Sequence, residues 1–446
     1  MSVVPPADSA FYRPASPAQR GMWLSWTLKP DKSMYVNVYA YLLSGPIDIR
    51  VLDEAFRDLL LEHEVLRTGL LQVEGSVVQY TKAPTDESAL DVEDWSRRPV
   101  TAADIDTWIS EQRNTPFDLS DPPLVRAALL RLDAQRAVLA VRLHHAVTDG
   151  ESHRMLCTEL TRLYRDCAAG RRSTAATYAL PMRRVEQERR WLGSKEYVEA
   201  LTHRLAELRR ADIIEFPAPT DESPLVGSSV ISIPRRQVGA LLEHAQSMGV
   251  TPFSTLLTVV SGVLYRVSGK DKYIVGLAMS TRDESVENQF GYFVNLVPVA
   301  LSFDEDMTAE DLLLSTSGSV MSGIMVRSIP FEELVASLPE LRPVGRPPVV
   351  QVVFGVDDAS DRNHRISIEG VNSENIPVAG SALEFDLECA CTLTAEELVV
   401  RLYWCNALGD SHVASLLNEI DRTLRWLNTH LGSLVREWPV ELRWER

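Results

Sequence analysis

The stretch Val138-Leu-Ala-Val-Arg-Leu-His144-His145-Ala-Val-Thr-Asp149-Gly150 decides the fold, because a strand ends in it and a helix begins just after it. Its first six residues are mostly apolar, which predicts a buried strand. The residues after Gly150 carry apolar side chains at helical spacing, at Leu156, Leu160, Leu163 and Tyr164. Two adjacent histidines thus lie at a strand end, and an Asp-Gly pair lies at a helix start. Rigid strand ends and helix N-termini with free N–H groups are common places for chemistry.

Two other interpretations of these residues stay open at this point. His144 and His145 fit a purely structural pair that closes the strand. His145 and Asp149 also fit metal ligands, but a catalytic zinc generally takes three protein ligands. The nearest further candidates, His153 and Cys157, complete no familiar spacing, so the working hypothesis contains no metal.

The length and composition indicate a two-lobed globular protein. A chain of 446 residues exceeds what one hydrophobic core usually covers. A Pro-broken stretch of small and polar residues, 170–183, separates two halves that each mix helices with strands. We therefore expect an α/β fold with mixed sheets, with an N-terminal lobe at 1–175 and a C-terminal lobe at 176–446.

Charge and cysteine usage limit the partners and the compartment. A net charge of −17 argues against nucleic acid or an anionic membrane as partner, since both need a basic face. Five cysteines without a paired CxxC pattern suit a reducing cytosol. The first 25 residues contain no apolar segment of the signal-peptide kind. We therefore expect a cytoplasmic protein.

Apolar periodicity predicts the main elements along the chain. Strands are expected at 35–43, 77–80, 124–132, 138–143, 229–233, 273–279, 293–302, 349–356, 383–391 and 398–404. Helices are expected at 51–61, 102–112, 236–248, 252–268 and 414–431, with a charged helical stretch at 185–211.

Five motifs resemble those of nonribosomal peptide synthetase condensation domains, which share the chloramphenicol-acetyltransferase fold. The first is Ser16-Pro-Ala-Gln-Arg-Gly-Met-Trp23, and the second is Glu62-His-Glu-Val-Leu-Arg-Thr68, with Glu62 where the family usually has Arg. The third is His144-His145-x-x-x-Asp149-Gly150. The others are Gly291-Tyr-Phe-Val-Asn295 and Ile329-Pro-Phe-Glu-x-Leu334. The family's tyrosine-rich fourth motif is not recognisable between residues 175 and 195.

The resemblance implies a two-lobed fold with an active-site tunnel between the lobes. A donor acyl or aminoacyl group would arrive as a thioester on the phosphopantetheine arm of a carrier protein, with no tightly bound cofactor. A small-molecule amine or hydroxyl acceptor would enter from the other side, and the enzyme would form an amide or an ester. A thioester is already activated, so the chemistry needs a base near neutrality, which suits His145.

The resemblance also gives roles to the neighbouring residues. His144 is expected to be structural. Asp149 either orients the imidazole or forms a buried salt bridge, and the family favours the salt bridge, with Arg282 as partner across the lobes. Gly150 is expected where bulk beside the substrate is forbidden.

Several other side chains receive expectations on the same basis. Asn295 either binds substrate or pins the end of a strand. Three aromatic side chains are expected in the core, and His153 in solvent; the aromatic residues are Trp23, Tyr292 and Phe293. Arginines of a carrier-docking surface are candidates by residue type only, at Arg20, Arg342 and Arg346.

The chain starts with its own Met just before the first motif and ends soon after the last helix. We therefore expect a free-standing condensation enzyme whose carrier acts in trans, with an excised domain as the alternative. Such enzymes often modify a small natural product, for example an enediyne core, in antibiotic biosynthesis, and an ester product is slightly favoured. A CoA-dependent acyltransferase, an epimerisation domain and a non-catalytic binding module are the rival functions.

Overall fold

The computed structural model describes residues 12–29, 31–216, 226–357, 364–378, 383–405 and 410–444. The elements up to residue 192 are β1 (Arg13–Pro14), α1 (Pro17–Leu28), β2 (Val36–Ser44), α2 (Ile49–Glu62), β3 (Thr68–Val73), β4 (Ser76–Thr81), β5 (Leu90–Asp94), α3 (Ala102–Asn114), β6 (Val125–Arg131), β7 (Arg136–His144), α4 (Ser152–Ala168) and α5 (Met182–Leu192).

The remaining elements are α6 (Lys195–Leu208), β8 (Val226–Pro234), α7 (Gly239–Ser247), α8 (Pro252–Ser268), β9 (Lys272–Ser280), β10 (Val294–Ser302), α9 (Ala309–Met325), α10 (Phe331–Ser337), β11 (Val352–Asp357), β12 (Asn372–Ile376), β13 (Leu387–Leu393), β14 (Glu397–Cys405) and α11 (Asp410–Leu427). The described residues form two compact units. The first comprises the described parts of Met1–Gly193, Arg282–Val294 and Ser360–Ser381, and the second comprises the rest.

A five-stranded sheet with the order β12-β2-β7-β6-β5 organises the first unit. Its centre is the antiparallel pair β2–β7, which is in register from Val36 opposite His144 to Ser44 opposite Arg136. Because side chains alternate along a strand, Leu139 and Leu143 face a core shared with α2 and α4. The opposite face packs on Trp108 of α3. This packing holds the end of β7, and with it the two histidines, rigidly in place.

A six-stranded sheet with the order β10-β9-β11-β13-β14-β8 organises the second unit. Helix α8 is buried along nearly its whole length, as its apolar sequence predicts. Thr251 caps its first turn, and Gly269 ends it in the left-handed conformation that glycine tolerates best. Tyr265 and Tyr273 both stack on Phe303 in this core.

Most of the expected elements are present, and the α/β fold class is confirmed. The strands predicted at 138–143 and 273–279 and the helix predicted at 252–268 coincide with β7, β9 and α8 within one or two residues. The pair predicted at 383–391 and 398–404 forms an antiparallel hairpin, although its first strand starts only at Leu387. Periodicity missed α9, because its many Ser and Gly residues hide the apolar face, and it missed β12, a short polar strand that needs β2 as partner.

The contacts of the first unit draw its boundary at Gly193 rather than at the expected 175/176. Two buried carboxylates of α2, those of Asp58 and Glu62, hold the stretch that follows α4. Asp58 accepts hydrogen bonds from Arg172 (2.7 Å) and from the Ser173 amide (2.9 Å). Burial alone would raise the pKa of Asp58, but these bonds outweigh it and lower the pKa. Leu180 is buried in the same core, so residues 170–183 belong to the first unit and do not form a free linker.

Among the described helices, none alone has the length and apolarity that crossing a membrane requires. Helices α7 and α8 meet that requirement only as a pair, across a bend of 116°.

Candidate active site

The backbone after β7 makes a tight turn that presents His145. The His145 amide donates to the Tyr35 carbonyl (2.8 Å), which extends the β2–β7 pairing by one residue. A single 3₁₀ turn then covers His145–Val147. The Thr148 hydroxyl donates back to the His144 carbonyl (3.1 Å) and closes the turn. The turn is therefore fixed at both ends by hydrogen bonds.

The half-buried imidazole of His145 is held in one tautomer. Its Nδ1 lies 2.9 Å from the Thr148 carbonyl oxygen. A carbonyl only accepts hydrogen bonds, so Nδ1 carries the proton and donates it. The lone pair of the neutral ring is therefore on Nε2, which is the basic atom that this site offers to a substrate.

His144 has the opposite tautomer and a different environment. Its Nδ1 accepts from the Ala146 amide (3.0 Å), so its proton is on Nε2. The side chain is fully buried. Burial, with a smaller effect of His145, lowers the pKa of His144 to about 3. A neutral ring that no solvent reaches fits the structural role expected for His144.

Asp149 and Arg282 form a buried two-point ion pair. Arg282 Nη2 lies 2.7 Å from Asp149 Oδ1, and Nε lies 2.9 Å from Oδ2. The side chains are only 4% and 9% exposed. The same carboxylate accepts from Ser152 Oγ (3.1 Å) and from the Phe293 amide (3.3 Å). Among the described residues these donors occupy the carboxylate and His145 is not one of them, so the geometry favours the salt bridge over direct orientation of the imidazole.

Arg282 belongs to the same compact unit as Asp149, although it follows β9 of the second unit. Its Nη1 donates to the carbonyls of Val286 (2.6 Å) and Gln289 (2.8 Å). Val286 and Phe290 are buried, and they anchor this segment. The ion pair is therefore internal to the first unit, which corrects the expectation of a tie across the lobes.

The structure places Gly150 in open surroundings. It is exposed, and a Cβ added there would meet no protein atom within 4 Å. The protein's own atoms therefore leave room for a side chain at Gly150, and the expectation that bulk is forbidden there beside a substrate stays a prediction. Only a bound substrate would exclude a side chain at this position.

Both polar atoms of the Asn295 side-chain amide form hydrogen bonds with the backbone of the second unit. Its Nδ2 donates to the carbonyls of Arg327 (2.8 Å) and Ile329 (2.6 Å), and its Oδ1 accepts from the Phe331 amide (3.2 Å). Of the two roles expected for Asn295, this geometry favours pinning the start of β10 to the segment before α10.

Three residues have contacts that the sequence did not predict, and two of them, Thr148 and Tyr292, contact His145 itself. Thr148 holds the imidazole through its carbonyl, a role that no side-chain motif signals. Tyr292 packs at the edge of the core as expected, but its ring also meets the His145 ring edge-on, with centroids 5.3 Å apart. His153, expected in solvent, stacks on Tyr39 at 4.2 Å.

Among the described residues, one group of side chains lies close enough together to hold a metal ion. It consists of Glu62, His63 and Glu159. It contains neither His145 nor Asp149. Arg162 lies between the two carboxylates and bonds both, at 2.5 Å and 2.6 Å. Glu62, the residue at which the second motif departs from the pattern it resembles, is thus paired with Arg162 of α4.

The arginines named as docking candidates differ in their surroundings. Arg346 pairs with Asp386 (3.1 Å) and is partly buried, and Arg342 donates to the Val335 carbonyl. Arg20 is exposed on α1. Arg20 and Arg342 therefore both lie on the surface, whereas Arg346 is partly buried in its ion pair.

Comparison with known proteins identifies the family to which the chain belongs. The family model described as "Condensation domain" matches residues 11–437. The chain is 30% identical over 406 residues to phosphinothricin tripeptide synthetase PhsB of Streptomyces viridochromogenes, covering 87% of this chain and 34% of that protein. It is 28% identical to a linear gramicidin synthase of Brevibacillus parabrevis (87% and 5%) and to the beauvericin nonribosomal cyclodepsipeptide synthetase of Gibberella fujikuroi (83% and 12%). The chain thus spans about a third or less of these relatives.

Solved structures share the fold at low identity. The X-domain from teicoplanin biosynthesis superposes with a TM-score of 0.85 at 21% identity, covering 98% of this chain and all of that one. The first condensation domain of the calcium-dependent antibiotic synthetase gives 0.77 at 21% (97% and 100%). The starter condensation domain of rhizomide synthetase, solved with C8-CoA, gives 0.77 at 18% (96% and 97%). This chloramphenicol-acetyltransferase-like architecture and the family match lead to one conclusion: the chain belongs to the condensation-domain family, whose members are acyltransferase-type enzymes that form amide or ester bonds.

Proposed function

We propose that this chain transfers an acyl or aminoacyl group from a carrier-bound phosphopantetheine thioester to an amine or hydroxyl acceptor, with His145 as the general base. The observation that carries the proposal is the hydrogen bond from His145 Nδ1 to the Thr148 carbonyl (2.9 Å). In the neutral ring this bond leaves the lone pair on Nε2, the atom that a proton-abstracting base needs.

The proposed reaction balances without any group beyond the two substrates. The acceptor nitrogen or oxygen attacks the thioester carbonyl while Nε2 takes its proton. Collapse of the tetrahedral intermediate breaks the C–S bond, and the proton passes from the imidazolium to the departing thiolate. A thioester is already activated, so no nucleophilic Ser or Cys of the protein is required.

The role proposed for the Asp149–Arg282 pair is to hold the turn that carries His145. Both side chains are almost excluded from solvent, so the pair is weakly screened by salt. His144 contributes in a second way, since its Nδ1 holds the Ala146 amide directly after His145. These contacts support a rigid base whose position does not depend on the substrate.

The form of the donor is the first test of this proposal. One acyl group is supplied on a separately added carrier protein, on CoA and on a small-molecule thioester, each with and without an acceptor, and the condensed product is quantified by mass spectrometry. We expect the carrier-bound donor to give the highest kcat/KM and the product to require the acceptor. If acyl-CoA is used as well as the carrier-bound donor or better, the donor is an acyl-CoA and not a carrier-bound thioester. This second candidate is supported by the rhizomide starter domain, which was solved with C8-CoA.

The same reactions separate the other rival functions. An epimerisation domain would exchange the donor α-hydrogen for deuterium without acceptor, whereas a condensation enzyme needs the acceptor to turn over. A binding module would retain the carrier without releasing product. Either result would reject the proposed reaction.

The exposed face of α1 is the proposed carrier-docking surface. Leu24 and Leu28 are 45% and 74% exposed and lie one turn apart, and Arg20 lies one turn before Leu24 on the same face. Helix α1 packs against the turn that holds His145. An apolar pair beside a positive charge complements the acidic helices expected of a carrier.

Replacing Leu28 with Asp is expected to lower kcat/KM for the carrier-bound donor about tenfold, because it puts a carboxylate against an acidic partner. Turnover of the small-molecule thioester, which needs no docking, is expected to stay within twofold. Met325→Asp on α9, at an equally exposed apolar position (80%), is the matched control. An equal loss with both donors would argue against docking at this face.

The acceptor class proposed here includes hydroxyl groups, because a general base on Nε2 serves an alcohol as well as an amine. An ester-forming reaction on a small natural product, for example an enediyne core, is therefore a case to test, with the carrier supplied in trans. Parallel assays with amine and hydroxyl versions of one acceptor distinguish amide from ester formation.

A further inference from the structure

The segment 282–294, here called the Arg282 loop, brings an aromatic ring against the imidazole of His145. The centroids of the Tyr292 and His145 rings are 5.3 Å apart, and their planes meet at 74°. This is an edge-to-face arrangement within the range that aromatic pairs prefer. The hydrogen bond to Thr148 fixes one ring nitrogen, but it leaves the ring free to tilt about that bond. A second contact, from the side, is what defines the plane of the ring.

The neighbour of Tyr292 is fixed by the Asp149–Arg282 pair. The Phe293 amide donates to Asp149 Oδ2 (3.3 Å). The guanidinium groups of Arg282 and Arg184 lie 4.7 and 5.3 Å from the Phe293 ring centroid. Tyr292 is therefore held in place by the same ion pair that closes the His145 turn.

The residue before Tyr292 adds a steric constraint. A Cβ on Gly291 would lie 2.2 Å from a ring carbon of Phe293, so the Phe293 ring packs directly against Gly291 and would have to move to admit a larger residue. Phe290, two residues before Tyr292, is buried and meets the ring of His63 edge-on at 4.9 Å. Tyr292 thus has a fixed backbone on both sides and presents its ring to His145.

We propose that Tyr292 is a positioning residue that sets the plane of the His145 imidazole and connects the Asp149–Arg282 pair to it. Asp149 itself makes no hydrogen bond to the imidazole among the described contacts, since its oxygens are taken by Arg282, Ser152 and Phe293. An effect of Asp149 on the reaction therefore passes through Tyr292 as well as through the turn. This inference rests on the proposed role of His145 as general base.

The role is tested by removing the aromatic edge while keeping the volume. Tyr292→Met is expected to lower kcat about tenfold and to leave KM for the donor within twofold, because binding is intact and only the direction of Nε2 is lost. Tyr292→Phe is expected to retain at least half of kcat, because the ring contact does not need the hydroxyl. Tyr178→Met is the matched control, since Tyr178 stacks on a different histidine of the same unit, His63, at 4.5 Å.

A readout independent of turnover distinguishes this role from simple packing. With ¹³C-labelled histidine, the Cε1–H signal of His145, assigned through His145→Asn, is expected to shift and to show faster ring motion in Tyr292→Met, and to be unchanged in Tyr178→Met. Thermal unfolding checks that each variant is folded; if Tyr292→Met is not, Tyr292→Leu and Tyr292→Phe carry the same comparison.

The outcomes separate the inference from the proposed function. Absence of condensation by the unmodified protein, with any donor, would reject the proposed function, and the His145 signal would still report on the contact. An active protein in which Tyr292→Met keeps kcat and the His145 signal would overturn the inference. Equal losses in Tyr292→Phe and Tyr292→Met would also overturn it, because the hydroxyl and not the ring would then be responsible.

Discussion

Replacing His145 with Asn is expected to slow turnover of a hydroxyl acceptor about 10²–10⁴-fold, the range that general-base catalysis supplies. The Asn side-chain NH₂ can still donate to the Thr148 carbonyl, as His145 Nδ1 does now, so the turn should survive while the basic nitrogen is lost. An amine acceptor that reaches the site already neutral is expected to lose far less. It needs no proton removed before attack, and positioning of the two substrates supplies most of its acceleration.

Turnover is measured with amine and hydroxyl versions of a single acceptor and the same donor. His144→Asn is the matched control, because its carbonyl oxygen can take the place of Nδ1 as acceptor for the Ala146 amide. We expect His144→Asn to lower the stability of the protein and to leave the ratio of the amine and hydroxyl turnover rates nearly unchanged. Equal losses on both acceptors in His145→Asn would contradict a general-base role.

Replacing Arg282 with Ala is expected to lower the free energy of unfolding of the first unit by about 3–5 kcal/mol, the usual cost of breaking a buried ion pair. The carboxylate of Asp149, which is 4% exposed in the unmodified protein, would lose its charged partner. The carbonyls of Val286 and Gln289 would lose their donor as well. Chemical denaturation followed by tryptophan fluorescence measures the change, and it should be nearly independent of salt because the pair is buried.

Arg154→Ala provides the control for this experiment. Arg154 pairs with Glu151 at 3.1 Å at the start of α4, but the two side chains are 37% and 49% exposed. Such a surface pair contributes within about 1 kcal/mol. Arg282→Lys should fall between the two, since Lys keeps the charge but not the two-point geometry. A cost for Arg282→Ala no larger than that for Arg154→Ala would show that the pair does not hold the site together.

Apolar periodicity in the sequence predicts some of the helices and strands around the candidate site and misses others. Helix α4 is strongly periodic and buried on one face, and strand β7 is a nearly continuous apolar run buried on both faces, so the sequence predicts both elements well. Helix α9 is rich in Ser and Gly, and β12 is a polar five-residue strand that exists because β2 offers it an edge. Elements of this kind depend on a partner far away in the chain, and local periodicity contains no signal for them.

By itself, the sequence predicted the α/β class and the strand end that carries His145, because both depend on apolar periodicity. Its resemblance to condensation domains favoured, of two interpretations, the pairing of Asp149 with Arg282. Only the tertiary structure decided the tautomers of His144 and His145, the engagement of Asn295 by backbone, the open space at Gly150 and the contact of Tyr292 with the imidazole. Each of these depends on which backbone carbonyl, amide or ring lies within a few ångströms after folding. That distance is set by how segments remote in sequence pack together.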